Sequence, residues 1–139
     1  MARADNITQL STNVEQYSDF LNNFDRHPLT GTLGKTTNEA AVRQSIKNLI
    51  FTMRGERLFQ PLVGGDITRY LFEPLTQLTA YNISNSIRDT IKYNEKRANL
   101  INVAVYPTAD QNSVIVNVVF SLINSNEPIT LDVVLRRVR

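Results

Sequence analysis

An α+β fold, in which helices and an N-terminal arm pack on a three-stranded antiparallel β-meander, is what this 139-residue sequence predicts. Apolar residues recur at helical spacing over residues 38–53 and again over residues 76–97, and from Leu100 onward they alternate instead. Two turn segments, 107–112 and 124–128, divide the alternating stretch into strands that can pair as neighbours. A chain of this length has room for one core, so helices and strands must share it. The division expected is an arm over residues 1–37, partly extended, and a single α+β domain over residues 38–139.

The arm is rich in Asn, Thr, Asp and Gly. Val14, Tyr17, Leu21 and Phe24 lie near one helical face, but the surrounding Asn and Ser favour turns, and His27-Pro28 and the Gly31/Gly34 pair break continuation. Two forms stay open: a short helix, or an arm laid across a partner or its own domain with the aromatics as anchors.

Residues 38–53 form the clearest helix. Val42, Ile46, Leu49, Ile50 and Met53 share one face opposite Arg43, Gln44 and Lys47. Thr36 and Glu39 have capping-box spacing, and Gly55 is placed to terminate the helix. An elbow follows, with Gly55, Pro61 and the Gly64-Gly65 pair. Leu58, Phe59, Leu62 and Val63 are too apolar for a solvated loop, so the elbow is expected to pack, with Arg54, Glu56 and Arg57 holding it at the rim and Glu56 pairing with one of the arginines. Asp66 then caps a short helix carrying Ile67, Tyr70 and Leu71 that Pro74 halts. Thr76 or Thr79 starts a long helix with Ala80, Ile83, Ile87 and Ile91 as its stripe, and Arg88, Lys92, Lys96 and Arg97 gather where the helix dipole favours cations.

In the meander, Val114, Val116, Val118, Phe120 and Leu122 line one face of the central strand. Ile129, Leu131, Val133 and Leu135 do the same in the last. Ile115, Val119, Ile123, Val134 and Val138 fall on the opposite face, which calls for partial cover by a partner or by the arm. The sheet edges are open to strand addition, with the arginines of the C-terminal LDVVLRRVR as their protection.

Composition narrows the function classes. With 15 Lys+Arg against 13 Asp+Glu the net charge is +2, too small for a nucleic-acid field, and few aromatics interleave the basic ends. There is no cysteine, which removes disulfides, thiolate metal sites and cysteine nucleophiles and is compatible with a reducing cytosol. The N-terminal MARADNITQLS has no apolar signal segment, and no apolar run is long enough to span a bilayer, so no membrane is expected. His27 is the single histidine, has no companion ligands in sequence, and is expected to serve its turn. Glu56, Asp66 and Glu73 are the carboxylates a glycoside hydrolase would need, yet each has a structural role by position. Gly64-Gly65-Asp66 lacks a phosphate-loop context, and Asp66 would repel an anion. No catalytic, cofactor or metal residue is assigned.

The run SIKNLIFTMRGERLFQPLVGGDITRYLFEPLT, extended upstream by YSDFLNNFDRHPLTG and downstream through the long helix and meander, resembles the gp25-like baseplate wedge proteins of contractile-tailed phages, related to the TssE component of the type VI secretion baseplate. The family's Glu-Pro-Arg signature has its counterpart in Glu95-Lys96-Arg97, where Lys96 replaces a proline that would stop the helix; with lysine the helix can run on or fray. The resemblance implies a structural protein of the virion tail, made in the host cytoplasm and present in several copies in a ring around the tail tube. It implies contact with the wedge core bundle through the signature, hence Glu95 and Arg97, and initiation of tail sheath polymerisation on a handshake-type sheet. The open last strand suits that role by strand addition at Leu131, Val133, Val134, Leu135 and Val138. Two alternatives stand beside it: a peptidoglycan hydrolase, since the family has carried a lysozyme label, and an interaction adaptor outside any tail.

Overall fold

The structure, a computed structural model, describes residues 16–108 and 113–136. The element order is β1 (Ser18–Phe20), β2 (Lys35–Thr37), α1 (Asn38–Phe51), α2 (Ile67–Leu71), α3 (Gln77–Asn94), β3 (Ala98–Thr108), β4 (Ser113–Leu122) and β5 (Pro128–Arg136). The last three strands form an antiparallel sheet in the order β3-β4-β5, as their alternation predicts, and β1 pairs with β2 in a separate ribbon.

In the arm, the stretch from Tyr17 to Phe24 forms strand β1 and a turn instead of a helix, and Val14 lies outside the described residues. The ribbon closes over a turn in which His27 Nδ1 accepts from the amides of Leu29 and Thr30 at 3.3 and 3.4 Å, the local role expected for it. Asn38 fastens the ribbon to α1: its Oδ1 accepts from the Gln16 and Tyr17 amides at 2.9 and 3.2 Å. The capping box does not form. Thr37 is the N-cap without a side-chain bond, and Glu39 instead bonds Arg43 one turn on at 2.6 Å.

Val42, Ile46, Leu49 and Ile50 of α1 are buried as their spacing requires, and so are Ile83, Ile87 and Ile91 of α3. They close on Val114, Val116, Val118 and Phe120 of the sheet to make one core. Thr76 caps α3, accepting from the Thr79 amide at 3.2 Å. Asp66 occupies the N-cap of α2 but makes no side-chain capping bond.

Strand β3 contains a feature that alternation hides. Its register against β4 shifts between Leu100 and Asn102, leaving Ile101 as the extra residue of a β-bulge. The bulge returns Leu100 and Val103 to the same face: both pack in the core while Ile101 is 54% exposed. Far from the helices, Tyr106, Ile115 and Val134 form an exposed apolar row across the three strands, and Ile123 is exposed beyond it.

The elbow differs most from expectation. Leu58, Phe59 and Leu62 are exposed, and only Val63 of the four apolar residues is half-buried. Backbone bonds shape the turn: Gly55 donates to the Pro61 carbonyl at 2.8 Å, and Gly65 to the Thr52 carbonyl at 3.1 Å. Glu56 pairs with neither arginine; its Oε2 accepts from the Met53 amide at 2.8 Å. Arg54 instead faces Asp66 at 4.0 Å. Helix α1 stops at Phe51, so Gly55 serves the turn and not the cap, and Met53 is left 47% exposed.

Phe59 holds a left-handed φ of 68° while its side chain is fully exposed. A bulky residue there costs about 1–2 kcal/mol in backbone strain, and no burial offsets it. Phe59→Gly is therefore expected to raise stability by about 0.5–1 kcal/mol, the gain trimmed by the freer unfolded chain. An unchanged or lowered urea midpoint would show that the strain is not real.

Candidate functional site

The chemistry of the chain concentrates where α3 turns into β3. Glu95 is the C-cap of α3, at φ −118° and ψ 88°, and is only 4% exposed. Arg97 grips its carboxylate with two parallel bonds, Nε to Oε1 at 2.7 Å and Nη2 to Oε2 at 2.8 Å, while the Arg97 amide adds a third at 3.3 Å. Ser45 of α1 bonds the same carboxylate. The third guanidinium nitrogen reaches Asp19 Oδ2 of β1 at 3.1 Å, and the group lies 5.8 Å above the Tyr17 ring. Arm, first helix, last helix and sheet thus meet on two side chains.

Burial alone pushes the Glu95 carboxyl up, but the hydrogen bonds from Arg97 and Ser45, with the Arg97 charge, hold it below the ordinary carboxylate value. The bond to Glu95 raises Arg97 further still, against its own desolvation. The pair thus favours the ionised form of Glu95. Both members of the signature pair are engaged inside the protein, and Arg97 retains 28% side-chain exposure.

Lys96 does not prolong the helix. Glu95, at ψ 88°, leaves the helical region and ends α3 at Asn94, and a following proline would likewise keep it out of that region. Lys96→Pro is accordingly expected to leave the fold intact and to raise stability by about 0.5 kcal/mol, read as a slightly higher urea midpoint. A loss above about 1 kcal/mol would show that the corner differs from the proline form.

The second surface is the outer edge of β5. On the opposite edge, Ser84 of α3 donates to the Val103 carbonyl at 3.2 Å, so the helix meets the rim of β3. That bond also fixes the direction of the ladder. Val103 turns outward on β3, so its partner Val118 turns toward β5 and bonds Leu131, and Thr130, Asp132 and Val134 present their amides and carbonyls outward. Among the described residues no strand pairs with that edge.

Side-chain fit at this edge departs from the sequence expectation. Val133 and Leu135 are each 3% exposed and offer an incoming strand no free side chain, while Leu131 is half-buried against the same core. Val134, at 51% exposure, is presented on the far face, and Val138 lies outside the described residues. Neither the bulge of β3 nor the bond from Arg97 to Asp19, 78 residues apart, has a local signal in the sequence.

Of the candidate acid residues, Glu56 is engaged with the Met53 amide. Asp66 faces Arg54 in a cavity of about 230 Å³ that Asp89 also lines.

Residues 36–127 match the family described as baseplate wedge protein gp25. Baseplate wedge protein gp25 of Enterobacteria phage T4 is 33% identical over 89 residues, which cover 64% of this chain and 67% of that protein. A chain of the anti-feeding prophage baseplate has a similar structure, with TM-score 0.61 and 25% identity over 85% of this chain and 83% of that one. A protein of Geobacter sulfurreducens described as a candidate tail lysozyme superposes with TM-score 0.65 at 22% identity, over 70% of this chain and 89% of its own; at that identity it shows the fold alone.

Proposed function

Because this chain belongs to the gp25 family of baseplate wedge proteins, and so is a structural component of a contractile-tail baseplate, we propose that it starts sheath assembly by presenting the edge of β5 as a template strand. The observation that carries this is the outward row of main-chain groups at Thr130, Asp132 and Val134, on a strand whose other side is fully paired with β4. An incoming sheath strand extends the β3-β4-β5 sheet by main-chain bonds, which set its register. Val134 and the exposed row it shares with Ile115 and Tyr106 supply side-chain contact on the far face. The chain takes its place in the wedge through the surface organised by Glu95 and Arg97, and several copies stand in a ring around the tail tube, with the virion baseplate as their site.

The hydrolase alternative finds less support. Of the three carboxylates named for it, Glu56 is bonded to the Met53 amide and Asp66 faces Arg54, which leaves Glu73 without a second carboxylate to work with, and the curated relative is a baseplate wedge protein.

Deleting β5 would not test templating, because Ile129, Val133 and Leu135 would leave the core with it. Val134→Pro is the sharper variant. It removes one outward N–H at an edge position where proline is tolerated, and it obstructs pairing from that side. Expected is a protein that folds and joins wedges but nucleates sheath at least tenfold more slowly on wedge assemblies carrying tube. Sheath growth at the wild-type rate would refute templating by β5.

A further inference from the structure

Apart from the sheet edge, the strongest exposed apolar feature is the tip of the elbow between α1 and α2. Leu58, Phe59 and Leu62 are 85%, 100% and 79% exposed on one short loop. The loop has a defined shape. The bond from Gly55 to Pro61 closes it, the Gln60 amide reaches Arg57 O at 3.3 Å, and the Val63 amide reaches Gln60 O at 3.2 Å. Three large apolar side chains held in this way add nothing to the core, and Phe59 is also strained at φ 68°. Backbone strain of this kind clusters at binding sites and clamps, and an exposed apolar cluster that buries nothing in the free chain marks an interaction surface.

We propose that the elbow tip is a docking knob: Phe59, flanked by Leu58 and Leu62, enters an apolar cleft on a wedge partner that carries a carboxylate at its mouth. The charge follows from Arg57. It adjoins Leu58 and Phe59, is exposed, and among the described residues forms no ion pair. The nearest acid in sequence, Glu56, is turned back to the Met53 amide. An aromatic anchor beside an arginine is the composition that dominates binding energy at protein interfaces.

Position supports the same partner. Arg57, Gln60 and Val63 line a cleft of about 480 Å³ together with Asp19, Ser45 and Asn94, so the elbow borders the corner that Glu95 and Arg97 organise. The knob supplies the contact. Glu95 and Arg97, engaged with each other and with Asp19 and Ser45, are then positioning residues for the surface around it. The inference rests on the wedge role proposed above.

The test measures binding of the full chain to wedge assemblies purified without it, alongside sedimentation of the free chain. Phe59→Gly is expected to melt no lower than the wild type yet bind at least tenfold more weakly, and Arg57→Glu to bind several-fold more weakly with its fold intact. A purely structural elbow would couple lost binding to lost stability, the opposite pattern. If the wild type binds wedges and Phe59→Gly binds equally well, the knob is refuted and the wedge role survives. Failure of the wild type to bind overturns both. Self-association of the wild type that Phe59→Gly abolishes would make a second copy the occupant and overturn the assignment of a wedge partner.

Discussion

Replacing Arg97 with alanine should destabilise the protein by about 3 kcal/mol, because it leaves a carboxylate that is 4% exposed without its bidentate partner. The 28% exposure of Arg97 lets water enter the vacated space, which keeps the loss at the low end of the range for broken buried pairs. Removing Glu95 is the milder change, since Arg97 keeps Asp19 and its exposure. The ordering, Arg97→Ala worse than Glu95→Gln, distinguishes a buried pair from a surface pair, where both would cost under about 1 kcal/mol. The pair also has a pH signature. The folded-state pKa of Glu95 lies below its ordinary value, so its stabilisation is complete above the ordinary carboxylate range and disappears as pH falls through the folded value. Urea titrations at neutral and acid pH should show the wild type losing this increment on acidification, with Glu95→Gln losing less. Equal acid slopes would rule out the pair as a source of stability.

Gly64→Ala should be the most damaging single methyl in the chain. Gly64 holds φ 106°, and a Cβ there would sit 2.4 Å from the Thr52 carbonyl oxygen and 3.0 Å from its carbon. The obstructing atoms are backbone at the end of α1, so no side chain can rotate away. The bond from Gly65 to the Thr52 carbonyl and the bridge between Met53 and Gly65 close the base of the elbow at this point, and both must open to admit the methyl. A loss of about 3 kcal/mol or more is expected, from steric displacement added to left-handed strain. Gly55 makes a matched control: it too has a positive φ, 85°, but an added Cβ meets nothing within 4 Å. Gly55→Ala should cost only the backbone term, about 1 kcal/mol. Comparable losses at the two glycines would mean that the close approach at Thr52 does not govern the elbow.

Gly64 and Phe59 show why the elbow was only half legible. The glycines announce a turn, but whether the apolar residues between them face inward depends on what the rest of the chain leaves uncovered. The core is already closed by Ile46, Ile50, Ile67 and the α3 isoleucines, so Leu58, Phe59 and Leu62 remain outside. Glu56 likewise had three partners within reach in sequence, and the backbone path chose the Met53 amide over either arginine. The corner was legible as a motif and not as a mechanism: Glu95 and Arg97 stand two residues apart, but their bonds to Ser45 and Asp19 come from elements that only folding brings there.

The family was legible only as a resemblance of a long specific run. By itself the sequence determined what periodicity can carry: the two long helices with their buried faces and the three-stranded meander with its core face. Those features repeat every few residues, so local spacing suffices to specify them. The tertiary structure decided the rest: the bulge that returns Leu100 to the core, the rim of β3 met by Ser84 while β5 stays open, the outward elbow, and the inward use of the Glu95–Arg97 pair. Each depends on which surface is already covered when segments distant in sequence meet, and a competition for burial and hydrogen bonds is settled only by the packed whole.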